Sequence, residues 1–349
     1  MYVTSEFPSR SYQLGVWRYK GDVRFPDTGL QCVVYIGEMT DAGFKLRGTG
    51  FLVQVERLGG PIYYLVTAHH VIRDMKEPTK FAIRLNRQDG TVGLIQSGGF
   101  FRWWRHPDDR SVDAAVYPWG VRGARYKLFP ASRFLTQDVA NERMIGIGDE
   151  VYIVGLFRKW AGNAKITPTV RTGHIAMMAN ERMPLGKYGN AFMHLIEAFS
   201  LAGFSGSPVF VHETISIEMP ESPDPHDSPY LCGVGNIYPL GLLHGHLPVR
   251  VAEELTGTKD KGQMWPTGLS LVVPADRILD ILNQPKLLEY EQEMLKKLDE
   301  TNPVEASLRD DDAPVESERR NRDIPIPPIS REKFFGALKK TTRKRKSSS

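Results

Sequence analysis

Between residues 30 and 273 the chain is divided into short apolar runs separated by turn residues, and this pattern limits its fold more than any other feature. The clearest runs are 31–36, 50–55, 63–67 and 81–85, followed by 150–156, 169–176, 192–199, 207–211, 238–244 and 268–273. Each has the length of a strand and is rich in Val, Ile, Leu, Tyr or Phe. The 32 glycines and 24 prolines are scattered through the chain, as suits a loop-rich β protein better than a helical bundle. The expectation is an all-β fold, and the two successive clusters of runs imply two β units, at 30–125 and 126–283.

The flanks read differently. Residues 1–29 are polar and aromatic without a period and form an N-terminal arm. Residues 219–229 hold four prolines in eleven positions, which rules out a central strand and marks an exposed loop. Pro274 opens a helix whose apolar face is Ile278, Leu279, Ile281 and Leu282. A C-terminal helix follows over 284–300, with Leu287, Leu288, Tyr290, Met294, Leu295 and Leu298 as its stripe. From residue 301 the composition is polar and charged, which predicts a disordered tail. Within it, 330–340 reads as a short helix capped by Ser330, with Phe334, Phe335 and Leu338 as anchors. Residues 339–346 hold six basic residues, ending at Lys346. The segment from 330 to 346 is a candidate docking element for a protein partner.

Charge and cysteine content narrow the function classes. The net charge of +4 lies in the tail, which has 12 basic and 8 acidic residues from Thr301 onward. Residues 1–300 carry 33 of each, so the body offers no electrostatic case for nucleic acid. No apolar run is long enough to span a membrane. The start, Met1-Tyr2-Val3-Thr4, has neither the basic nor the apolar part of a secretory signal. The two cysteines, Cys32 and Cys232, are read as free buried thiols in a reducing compartment, the cytoplasm. No metal site is expected: the histidines are dispersed, and His212-Glu213 has no second histidine four residues on.

Three segments carry chemistry. Serine needs a base, a group orienting that base, and donors for a developing oxyanion. In Gly203-Phe204-Ser205-Gly206-Ser207-Pro208, glycines flank a serine, so the backbone can turn tightly and bring main-chain N–H groups together. Upstream, the strand Tyr64-Leu65-Val66-Thr67 runs through Ala68 into the pair His69-His70. Between them, Asp113 opens the small apolar strand Ala114-Ala115-Val116, where a partly buried carboxylate needs a donor such as an imidazole N–H. Each segment alone also reads as an ordinary turn, core histidine or capping acid.

Taken together in the order His, Asp, Ser, the segments resemble the three motifs of the chymotrypsin/trypsin-like serine protease family. The strand Gly48-Thr49-Gly50-Phe51 resembles that family's entry to the histidine, and residues 268–279 resemble its closing strand and helix. The resemblance runs from about residue 30 to 283. It implies two antiparallel six-stranded β-barrels with a site between them, no cofactor, and a protein or peptide substrate. Carried over by position, Ser205 resembles the nucleophile, His70 the general base and Asp113 the group that holds His70. The N–H groups of Gly203 and Ser205 would form the oxyanion hole. The rival α/β-hydrolase elbow fails at Ser207 and in chain order.

Departures from the family pattern sharpen these expectations. Phe204 stands where zymogen-type members have an aspartate, and no Ile-Val-Gly-Gly start exists, so the resemblance is to constitutively folded intracellular or bacterial members. Phe199 stands where trypsins have the acid that selects Arg or Lys. Phe199, His244 and His246 are the candidate substrate-pocket residues, the two histidines sharing one face by strand alternation, and an acidic or amide P1 residue is the expectation they raise. Two alternatives stay open: a catalytically silent scaffold recruited through the tail, and a protease inactive until a partner orders residues 201–205.

Overall fold

The computed structural model describes residues 25–58, 60–76, 80–87, 91–97, 101–119, 128–157, 165–185, 189–201, 203–213, 216–218, 230–233, 236–250 and 264–301. Of these, 27, 28, 216–218, 230–233, 248–250, 264–266 and 295–301 are described by backbone alone. The N-terminal arm up to residue 24, the proline-rich 219–229 and the tail with its expected helix at 330–340 lie outside the described residues. So do the side chains of Leu295 and Leu298 on the C-terminal stripe, and that of Cys232.

After the short helix α1 (Asp27–Gln31), a sheet forms from β1 (Val33–Thr40), β2 (Gly43–Val55), β3 (Ile62–Thr67), β4 (Ala82–Asn86), β5 (Val92–Gln96), β6 (Trp104–Arg105), β7 (Ala115–Pro118) and β8 (Phe129–Pro130). Its order is β5-β4-β1-β2-β3-β7-β6, with β8 parallel to β2. The sheet thus takes one strand from beyond residue 125. Its end strands are not paired with each other, yet it curls. Phe81 adjoins β4 and Tyr117 lies on β7, four strand steps away, which in a flat sheet is roughly 19 Å. Their ring centroids are 4.9 Å apart. Trp103 closes the same aromatic cluster against both rings.

The second unit is a closed barrel of β9 (Glu150–Gly155), β10 (Thr169–Met177), β13 (His194–Glu197), β14 (Pro208–His212), β17 (Ile237–Arg250) and β18 (Met264–Pro274), in the order β10-β13-β18-β17-β14-β9. The ladders β11 (Arg182–Pro184) with β12 (Asn190–Phe192), and β15 (Ser216–Glu218) with β16 (Tyr230–Gly233), are separate. Ile153, Ile196, Val209, Val211, Leu243 and Val272 are fully buried in the barrel core. The protein is therefore mostly β. The expected pair of six-stranded barrels is met by one closed six-stranded barrel and one curled eight-stranded sheet.

Helices are few. The short α2 (His69–Arg73) follows β3, and α3 (Gln137–Glu142) leads into the barrel, its first turn closed by the Thr136 side chain accepting from the Val139 N–H. At Pro274 the chain leaves β18 and enters α4 (Ala275–Leu282), which buries Ile278, Ile281 and Leu282. The last helix, α5 (Pro285–Thr301), returns to the first sheet: Glu291 accepts from Arg57 Nε at 3.0 Å and from the Tyr64 hydroxyl, and Tyr290 packs on Trp104. The C-terminal helix is thus tied to the first sheet by a buried, paired carboxylate, the form in which a buried charge is tolerated. No helix among the described residues is long and apolar enough to cross a membrane.

Candidate active site

Strand register brings the first two groups together. In the β3–β7 ladder Thr67 pairs with Ala115. Extending it by two residues sets His69 opposite Asp113, and the His69 N–H donates to the Asp113 carbonyl at 3.2 Å. The chain turns at Ala68 into α2, so His70 swings over the carboxylate. Its main-chain N–H donates to Asp113 Oδ1 at 2.9 Å, and its ring Nδ1 meets Oδ2 at 2.6 Å. A carboxylate accepts only, so the hydrogen lies on His70 Nδ1 and leaves Nε2 as the basic nitrogen.

A second register supplies the serine. Pro208 pairs with Leu242 in the β14–β17 ladder, and Leu243 N–H donates to the Ser207 carbonyl at 2.8 Å. One step further, Gly206 N–H donates to the Leu243 carbonyl at 2.8 Å, so Ser205 lies beside His244. The turn needs its glycines: φ is +101° at Gly203 and +84° at Gly206. Beneath it Phe204 is fully buried in the barrel core and serves as the apolar anchor of the turn.

Thr49 on β2 fastens this turn to the other unit, a role its sequence context does not reveal. Its N–H donates to the Ser205 carbonyl at 3.0 Å and its hydroxyl to the Gly203 carbonyl at 2.7 Å. The same hydroxyl accepts from the Leu156 N–H at 3.3 Å, while Thr67 Oγ1 donates to the Thr49 carbonyl at 2.7 Å. The serine turn is therefore built jointly by the sheet that carries His70 and the barrel that carries Ser205.

The Ser205 hydroxyl donates to the His244 carbonyl at 3.2 Å, and among the described residues no hydrogen bond joins it to His70. Free enzymes often show long or misaligned catalytic hydrogen bonds that form with substrate. Among the described residues, the N–H groups of Gly203 and Ser205 make no hydrogen bond and stay available as donors.

His244 is not where alternation puts it. Its Nδ1 lies 2.6 Å from Asp113 Oδ2, the oxygen His70 uses, and the two rings meet edge to face at 5.4 Å. Burial works against the Asp113 charge, but the hydrogen bonds from His244 and His70 outweigh it and hold the carboxyl well below its ordinary range. Among the described residues the His69 ring makes no hydrogen bond to Asp113 or Ser205; burial and the Arg105 charge push it down to about 4, so it is neutral at pH 7.

His70, Asp113 and His244 bring two ring nitrogens and a carboxylate oxygen within 4.8 Å. Two ligands on one tetrahedral zinc stand roughly 3.3 Å apart. The 2.6 Å separations here are those of hydrogen bonds.

A cavity of about 110 Å³ is lined by Ala198, Phe199, Ser200, His246, Gly268 and Leu269. It joins Phe199 and His246, two of the three candidate pocket residues; His244 belongs to the carboxylate instead. Gly268, at φ +81°, leaves room beside the Phe199 ring, which an added Cβ would approach to 3.6 Å. No acidic side chain lines the cavity, and Phe199 is 55% exposed.

Residues 48–214 match the family model described as the trypsin-like peptidase domain, a span that includes His70, Asp113 and Ser205 and stops before His244. Among curated proteins, none matches the chain. Among solved structures, the chain is similar to the apo protease domain of MamO from Magnetospirillum magneticum, at 13% identity and a TM-score of 0.44, over 72% of this chain and 96% of that one.

Proposed function

We propose that the protein is a serine endopeptidase that cleaves protein substrates through an acyl-enzyme intermediate. The observation that carries this reading is the hydrogen-bonded orientation of His70 by Asp113, next to a glycine turn that presents Ser205. Match to a peptidase-domain family model supports the class. Rotation of the Ser205 side chain away from the His244 carbonyl frees its hydroxyl for His70 Nε2. That nitrogen takes the proton as Oγ attacks the scissile carbonyl. Asp113 keeps the hydrogen on Nδ1 and stabilises the imidazolium that forms. The N–H groups of Gly203 and Ser205 face the oxyanion. His70 then returns the proton to the leaving amine, and water repeats the sequence to release the acid.

The cavity is proposed as the site for the P1 side chain. With no acid in its lining and His246 as its titratable group, it suits an acidic or amide side chain rather than Arg or Lys. A cytoplasmic setting is part of the reading, in keeping with the buried free thiol of Cys32.

One observation favours the rival reading of a silent scaffold: the Ser205 hydroxyl rests on a carbonyl rather than on His70. Digestion of an unfolded protein substrate separates the two. The protease reading expects cleavage that Ser205→Ala abolishes, with peptide ends clustered after Glu, Gln or Asp. Intact substrate with the wild-type protein, alone and with cell extract added, supports the scaffold. Cleavage that clusters after Arg or Lys refutes the pocket assignment but not the nucleophile.

A further inference from the structure

We propose that His244 is a positioning residue for the triad, a second imidazole that shares one oxygen of Asp113 with the catalytic base. The proposal rests on the Ser205–His70 reading above and deepens it. It starts from the number of donors on one carboxylate. Asp113 Oδ1 takes the His70 main-chain N–H at 2.9 Å, and Oδ2 takes the Nδ1–H of His70 and of His244, each at 2.6 Å. Three N–H donors leave this carboxylate little freedom to rotate. The side chains are enclosed: His244 is 12% exposed and Asp113 13%, against 25% for His70. His244 therefore covers the side of the acid that His70 leaves open.

The chemical consequence has a definite sign. A donor from His244 stabilises the Asp113 charge and so weakens the pull of that charge on a proton at His70. It also fixes the oxygen against which His70 must align. Removing the donor loosens the base and, at the same time, raises the proton affinity of His70. Other groups cannot substitute for it. His69 is held neutral, Arg105 and Arg73 act on the site through space, and His246, two residues along β17, lines the cavity. The part of β18 paired with this stretch of β17, from Leu271 to Ser270, carries no charge.

Full-length wild type, His244→Ala and His244→Asn are compared for kcat and KM on an activated ester from pH 5 to 9. The Asn side chain can place an N–H where the histidine places Nδ1–H. His244→Ala is expected to lose about 10- to 100-fold in kcat with KM within twofold, and to shift the acid limb of the rate profile to higher pH. His244→Asn restores most of kcat and the original limb. Wild-type kcat and limb in His244→Ala, or an Asn variant no better than Ala, overturns the proposal. If the wild type hydrolyses nothing, the protease reading fails separately. The linkage is then read by proton–nitrogen NMR of Ser205→Ala. Two hydrogen-bonded ring Nδ1–H signals are expected, one vanishing and the other shifting on adding His244→Asn. A single signal in the parent overturns the assignment.

Discussion

Replacing Thr49 by Val tests how the serine turn is held. The exchange keeps the branched shape and replaces the hydroxyl by a methyl group. Thr49 is fully buried, and its hydroxyl both donates to the Gly203 carbonyl at 2.7 Å and accepts from the Leu156 N–H at 3.3 Å. Leu156 is fully buried as well, so its N–H is left without water or partner. A buried group stranded in this way costs about 1–3 kcal/mol, and the half-buried Gly203 carbonyl adds a smaller amount. The expected total is about 2–4 kcal/mol, read as a lower midpoint in urea unfolding. The second expectation is local: with Gly203 released, the rate of covalent labelling of Ser205 by a fluorophosphonate should fall by at least tenfold. Thr49→Ser keeps the hydroxyl and should restore the labelling rate. A Val variant within about 0.5 kcal/mol of wild type, labelled at the wild-type rate, would refute the reasoning that Thr49 holds the turn.

Three further outcomes are expected. Gly206→Ala places a Cβ 2.2 Å from the Thr49 carbonyl oxygen at φ +84°, so the turn must move; covalent labelling of Ser205 should be lost and the melting temperature lowered. Asp113→Asn no longer holds His70 in one tautomer, and turnover should drop by about 10⁴-fold, a loss measured on the same activated ester with KM little changed. His194 is nearly enclosed and burial pushes it down to about 4, so the unfolded chain binds its proton first as pH falls below about 6.5. The stability this imidazole contributes is therefore complete at neutral pH and lost between about pH 6.5 and 4, by roughly 3 kcal/mol. His194→Asn, whose carbonyl can accept the Ala179 N–H that Nδ1 accepts at 3.1 Å, should flatten that part of a urea-midpoint profile against pH.

What was legible in the chain follows from how local each feature is. Ser205 announces itself through the glycines at 203 and 206, which the turn requires. His70 and Asp113 follow from strand ends that pair directly, since Thr67 opposite Ala115 brings residues 69 and 113 level. Each of the ten apolar runs contains strand residues, although 31–36 begins in α1 and 192–199 crosses from β12 into β13. Weakly patterned strands leave no such mark: β2 extends back to Gly43 through Phe44-Lys45-Leu46-Arg47, whose residues are half-buried or exposed, and β11 with β12 is a ladder of only three pairs.

His244 shows where counting fails. Alternation along a regular strand puts His244 and His246 in one environment. The β17–β18 pairing slips between Leu243 and Gly245 and again between His246 and Pro248. Those irregularities turn one imidazole to Asp113 and the other to the cavity, and Gly245 and Pro248, which stand at the two slips, are the residues that mark them in the sequence. Thr49 escaped for a related reason: its partners, Gly203 and Ser205, are more than 150 positions away and belong to the other unit.

The central claim is that Ser205 is a nucleophile activated by His70. Its most direct test is the mass of the intact protein, and of its Ser205 peptide, after exposure to a fluorophosphonate. The account predicts one adduct, on Ser205, absent in Ser205→Ala and slowed at least 100-fold in His70→Ala. No adduct on the wild-type protein, or an adduct that forms as fast without His70, would contradict it.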